Sequence, residues 1–131
     1  MKIELEQVSP HEIEKRSFEI ITKELNGRTF PEDQELVVKR CIHTSADFDY
    51  ADNLCFSEHA VAKGIEAIRE GACIVTDTQM ARSGINKKVL ARHGGEALCF
   101  MSDEDVAARA KETGSTRAAA AWKKRRSWIK S

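Results

Sequence analysis

The hydrophobic pattern of this chain changes its period part-way along, and that change limits the folds open to it. Up to Gly71 the apolar residues recur at helical spacing. "ACIVTD", Ala72 to Asp77, is instead a short apolar and β-branched run that ends in polar residues. Such a run suits a buried parallel strand, with its polar residues at the carboxyl edge of the sheet. "EALCFMSD", Glu96 to Asp103, repeats the pattern. Helices alternating with buried strands predict an α/β fold, a parallel sheet layered with helices, in which Ala72–Asp77 and Ala97–Phe100 are neighbours.

The helical segments carry their own punctuation. Ser9, Pro10 and Glu12 form a helix start, with Ser9 as cap and Glu12 completing a capping box. Ile13, Ser17, Ile21 and Leu25, with Phe18 alongside, then predict one buried stripe ended by Asn26-Gly27. A second helix starts near Pro31, where "PEDQE" places carboxylates at the positive end of the helix dipole. Its stripe is Val37, Val38, Cys41 and Ile42, and it runs out between His43 and Ser45. Ser57 caps a third helix with Val61, Ile65 and Ile68 on its inner face. Ser102-Asp103 opens another, ended by Gly114, and "STRAAAAW" begins one more. With only two strands, apolar surface is expected to remain exposed and to invite dimerisation.

The totals narrow the function classes. A chain of 131 residues suits one domain, and its 41% hydrophobic and 32% charged residues describe a folded protein, not a disordered one. A formal net charge of zero gives no steering toward nucleic acid or an anionic membrane. "KKRRSWIKS", at residues 123–131, is basic but lacks an aromatic platform, so it reads as a solvated tail and not as a nucleic-acid arm. No apolar run reaches bilayer length, and "MKIELEQVS" lacks a signal peptide's apolar core, so the expected compartment is the cytoplasm. Cys41, Cys55, Cys73 and Cys99 are too far apart for a zinc knuckle or a redox pair, and no histidine spacing suggests a metal.

Three places carry candidate chemistry. His43 stands at a helix end beside Lys39 and Arg40. Asp47 would reach its ring if the helix continued, and an imidazole can both give and take a proton near neutrality. A structural histidine is the competing reading. "TGSTRAAAA", Thr113 to Ala121, brings Ser115, Thr116 and Arg117 to a helix start, where free N–H groups and a guanidinium suit an anion. An ordinary cap with a surface arginine is equally open. "TDTQM" puts Asp77 and Met80 at a strand's carboxyl end, where α/β sheets bind ligands. There a capping Asp77 and a core Met80 are the alternative.

"IEKRSFEII", "VVKRCIH", "DYADNLCFSEHAVAKGIEAIREGACIVTDTQMARSGI" and "GSTRAAAA", in that order, closely resemble the amino-terminal part of the precorrin-8X methylmutase family, whose anaerobic-pathway form is cobalt-precorrin-8 methylmutase. The resemblance implies a cofactor-independent isomerase of corrin biosynthesis that moves a methyl group between adjacent ring carbons, giving hydrogenobyrinic or cobyrinic acid. It implies an α/β homodimer binding a carboxylate-rich corrinoid, with neither nucleic acid nor membrane as partner. By the same resemblance His43 is the proton donor/acceptor, and Arg16, Ser17, Asp77, Met80, Thr116 and Arg117 are substrate-binding. The likeness runs to about residue 121, so residues 122–131 are expected to be a basic tail outside the family pattern. The chain then reads as cut short, with a non-catalytic tetrapyrrole-binding remnant as the alternative to an active isomerase.

Overall fold

Ser9 caps the first helix as its position requires: its hydroxyl accepts from the Glu12 N–H at 3.3 Å, and Pro10 occupies the first helical position of α1 (Pro10–Glu24). These details come from a computed structural model that describes residues 7–130. Residues 1–6, part of the stretch read for a signal peptide, lie outside the described residues, as does Ser131 at the end of the basic tail. The chain forms two compact units, one within Met1–Ala62 and one within Lys63–Ser131.

In the first unit, Asn26 and Gly27 both take positive φ and turn the chain out of α1. Helix α2 (Glu32–Ser45) follows, with Glu32, Asp33 and Glu35 in its first turn. A short helix, α3 (Tyr50–Asn53), completes the unit's core. Ile21, Val38, Ile42 and Ala51 are buried, and Leu25, Phe30, Leu54 and Phe56 pack around them. Arg28 ties α3 to the α1–α2 turn by donating to the Ala51 carbonyl at 2.7 Å and pairing with Asp52 at 2.6 Å. The stripe expected on α1 is only partly covered. Ile21 is buried and Ser17 and Leu25 half-buried, but Ile13 is 54% exposed.

Helix α4 (Ala60–Arg69) carries the chain into the second unit. It starts later than expected, because Ser57 to His59 form a turn in which His59 takes φ 56°. None of its residues is buried, and Ile65 and Ile68 remain exposed. Exposed apolar residues also occur on α1, α2 and the carboxy-terminal helix.

The second unit holds the predicted strand pair. β1 (Ile74–Val75) and β2 (Ala97–Leu98) run parallel, with Ile74 opposite Ala97 and Val75 opposite Leu98. Both are shorter than the apolar runs suggested. Gly95 is required just before β2, since a Cβ there would meet the Ala72 carbonyl oxygen at 2.6 Å. Between the strands lie α5 (Gln79–Gly84) and α6 (Lys87–Arg92), the latter capped by the Asn86 side chain. After β2 come α7 (Glu104–Thr113) and α8 (Arg117–Lys130), with Gly114 in the left-handed region between them. Ala120 and Ala121 of α8 are buried with Val106 and Ala110 of α7, so the alanine run packs helix on helix. The basic stretch continues the same helix. Lys124 spans back to Asp103 at 2.6 Å and Asp105 at 2.8 Å.

Two stability measurements check this packing. Ile42 is 1% exposed, and Ile42→Ala should lower unfolding free energy by about 2–5 kcal/mol, the usual result of opening a core cavity. An unchanged denaturant midpoint would show that the cluster does not hold the first unit together. The second is a pH profile of the α7–α8 clamp. Hydrogen bonds from Lys124 hold the Asp105 carboxyl below its usual 3.8, and Asp103 and Asp105 raise the Lys124 ammonium above its usual 10.5. A depressed acid stabilises above its unfolded value, and a raised base stabilises below its own. The clamp should therefore act fully between about pH 3.8 and 10.5, weakening as pH falls through the lowered Asp105 value or rises through the raised Lys124 value. Lys124→Met should flatten both flanks, as read by thermal unfolding across pH.

Candidate functional site

The core of the first unit sets the site's geometry. Val38 and Ile42 anchor α2, and His43 follows Ile42 directly in the last turn. Ile21 anchors α1, and Ser17 lies one turn before it, on the same face. The two polar side chains meet where the packed faces end: Ser17 Oγ lies 2.7 Å from His43 Nδ1, and both residues are half-buried. Phe18 packs its ring against the imidazole, with centroids 5.4 Å apart and planes inclined by 32°. His43 Nε2 has no hydrogen-bond partner among the described residues.

An open cavity of ≈ 380 Å³ lies beside this pair, within the range of small-molecule pockets. Ile13, Ile20 and Phe48 give it an apolar wall, and Arg16, Ser17 and His43 supply its polar groups. Arg16 pairs with Glu12 at 3.2 Å. A serine hydroxyl can accept from Nδ1–H in both the imidazolium and the neutral form of the ring, which keeps a proton on Nδ1 and leaves Nε2 as the nitrogen that gains and loses one. A carboxylate in its place would also accept, but its charge would favour the imidazolium. The pair is thus suited to a group that must hold and release a proton at Nε2.

Asp47 does not orient His43. Ala46 takes φ 57°, the helix ends there, and Asp47 turns its carboxylate to the Asp49 N–H at 2.9 Å. Ser17 fills the role instead. Charged groups do gather one step away: Arg40 lies 4.9 Å above the Phe18 ring and pairs with Glu14 at 2.7 Å. The Arg40 guanidinium, chiefly through that hydrogen bond, holds the Glu14 carboxyl below its usual 4.5, with smaller contributions from His43 and His11.

The other candidate residues lie in the second unit. Asp77 is exposed just after β1 and lines a small recess with Phe100, Trp122 and Arg125. It does not cap α5. Thr78 does, accepting from the Ala81 N–H at 3.1 Å. Met80 is 83% exposed and so is not a core residue of this unit. Thr116 caps α8 by accepting from the Ala119 N–H at 3.2 Å. Arg117, the first residue of α8, is exposed and forms no ion pair among the described residues. Structure therefore groups Arg16, Ser17 and His43 on one cavity and leaves Asp77, Met80, Thr116 and Arg117 on separate elements of the second unit. Sequence reasoning placed Arg40 beside the histidine but missed Phe18 and Glu14 as its neighbours. It also took Trp122 and Arg125 for tail residues, although the amphipathic continuation of the alanine helix was there to be followed.

Residues 12–130 match the sequence profile of the precorrin-8X methylmutase family, a match that runs on through the basic stretch. The cobalt-precorrin-8 methylmutase of Priestia megaterium is 44% identical over 111 residues, covering 85% of this chain and 49% of that protein. That of Salmonella typhimurium is 44% identical over 118 residues, covering 86% and 56%. The crystal structure of a precorrin-8X methylmutase from Thermus thermophilus superposes with a TM-score of 0.78 at 38% identity, covering 92% of this chain and 56% of that one. The chain spans about half the length of the curated relatives it matches. On the profile match and these identities, the chain belongs to the precorrin-8X methylmutase family.

Proposed function

We propose that this chain takes part in methyl migration on precorrin-8X or cobalt-precorrin-8, with His43 as the proton donor and acceptor. The observation that carries the reading is the Ser17–His43 pair, in which the bond is made at Nδ1 and the imidazole lines an apolar cavity. A proton delivered from Nε2 to the conjugated ring spreads positive charge over the macrocycle. The methyl group then moves with its bonding pair to the adjacent, electron-poor carbon. His43 removes the proton afterwards, so no atom is gained or lost and the reaction is an isomerisation. Ser17 accepts from Nδ1–H before and after, so the proton that comes and goes is the one on Nε2.

The remaining site residues have roles that fit a carboxylate-rich ring. Arg16 at the cavity and Arg117 at the start of α8 offer guanidinium forks to carboxylates, with Thr116 beside the latter. Met80 offers exposed apolar surface to the ring, and Asp77 a polar contact at the end of β1. Cobalt, where present, belongs to the substrate. The exposed apolar residues favour a homodimer, and a biosynthetic isomerase of this kind belongs in the cytoplasm.

Turnover and binding separate the roles. In this chain joined to the remaining half of a relative, His43→Ala and His43→Asn should each lower methyl migration by about a hundred- to ten-thousand-fold, with corrinoid affinity nearly unchanged. Ser17→Ala should lower it less, since the imidazole keeps its proton chemistry. Near-normal single-turnover rates in either His43 variant would remove it as the acid/base. Arg117→Ala should weaken binding of a carboxylated corrinoid by ~1.5–3 kcal/mol, and Arg117→Lys should recover only part. Unchanged affinity with an intact fold would take Arg117 out of the substrate site.

A further inference from the structure

Ser17 fixes one atom of the His43 ring, and a single hydrogen bond leaves the imidazole free to tilt about it. The direction of Nε2 then needs a second restraint. Phe18 supplies contact over the ring itself, at 5.4 Å between centroids. Phe18 is in turn held: the Arg40 guanidinium lies 4.9 Å above it, and Glu14 fixes that guanidinium at 2.7 Å. Neither Phe18 nor Glu14 lines the cavity that His43 faces. Their position suits them to act on the histidine and not on a ligand.

We propose that Phe18, held by the Arg40–Glu14 pair, is a positioning residue that sets the plane of the His43 ring and aims Nε2 at the cavity. The proposal rests on His43 being the acid/base. Ser17 and Phe18 are consecutive on α1, so one helix supplies both restraints, one at Nδ1 and one over the ring. Arg40 and His43 are likewise on one helix, about a turn apart. A slip of α1 against α2 would loosen both restraints together. Arg40 serves a second purpose at this distance. Its charge is balanced by Glu14, so the guanidinium can cover Phe18 without standing as an unpaired cation near an imidazole that must accept a proton.

The test uses Phe18→Leu, Phe18→Tyr and Glu14→Gln, the last an exposed substitution that preserves the fold even if Phe18→Leu does not. The first readout, on the chain itself, is nitrogen NMR of the His43 ring, which reports the balance of Nδ1–H and Nε2–H forms without any substrate. Phe18→Leu should move both ring-nitrogen signals toward the averaged values of a free imidazole. Phe18→Tyr should restore them, and Glu14→Gln should fall between. The second readout is turnover in this chain joined to the remaining half of a relative: kcat should fall on the order of 10–100-fold in Phe18→Leu, the scale expected from misplacing a catalytic group, with KM little changed. Phe18→Tyr should return kcat to within about threefold of the unsubstituted chain, since the ring is kept. His43 signals unchanged in both Phe18→Leu and Glu14→Gln would overturn the proposal. Shifted signals in a protein whose His43→Ala variant still turns over would keep the positioning role and sink the acid/base reading instead.

Discussion

The packing of Ile21 against Val38 and Ile42 governs the first unit and everything its site can do. Each of these side chains is nearly or fully buried, and each such burial contributes about 1.5–3 kcal/mol. The Ser17–His43 hydrogen bond contributes about 0.5–1.5 kcal/mol net. The apolar contacts therefore place the hydrogen bond, and the bond does not place the helices. Ser17 and His43 each stand beside a core residue on its own helix, so the register that buries Ile21 and Ile42 also brings the hydroxyl to the imidazole.

That order of causes explains a site built with few ionic parts. The only side chain bonded to His43 among the described residues is a neutral hydroxyl. A carboxylate there would bind the imidazolium tightly and favour one protonation state. A hydroxyl carries no charge and so favours neither strongly. The charged groups nearby, Arg40 and Glu14, neutralise each other by direct contact beside the Phe18 ring and remain exposed. Solvent-exposed pairs of this kind contribute little to stability, so their geometry matters more here than their energy.

Much of this was legible in the sequence where local rules apply. Ser9, Pro10 and Glu12 announced α1, the acidic "PEDQE" announced α2, and the two short apolar runs announced a pair of parallel strands. Short elements escaped: α3 and α6 are too brief to show a stripe, although Asn86 before "KKVL" was a usable cap signal. The partner of His43 escaped for a different reason. Asp47 was close in sequence, and its reach depended on the helix continuing, which the left-handed Ala46 prevents. Ser17 is a long-range partner brought in by packing, and spacing along one helix carries no information about which residue of another it will face. The inner stripes were over-read on α1 and α4, where Ile13, Ile65 and Ile68 follow helical spacing but stay exposed. Periodicity tells which face is apolar, and only the neighbours decide whether that face is covered.

The two units consequently differ in what they hold complete. In the first, His43, its hydrogen-bond partner, its ring contact and nearly all of its cavity come from α1, α2 and the turn after α2, with Val8 before α1 completing the lining. In the second, the residues suited to carboxylates sit at the start of a helix whose position depends on other contacts. Ala120 and Ala121 pack on Val106 and Ala110, and Lys124 locks α8 to the start of α7 through Asp103 and Asp105. Small residues at that contact let the helix backbones approach closely, so the orientation of α8 is fixed one turn beyond Arg117. The basic stretch is thereby part of the structural reason that Arg117 and Thr116 stand where they do. A run of charge that looked like a solvated tail instead anchors the helix whose amino-terminus carries Thr116 and Arg117, the residues proposed to bind carboxylates.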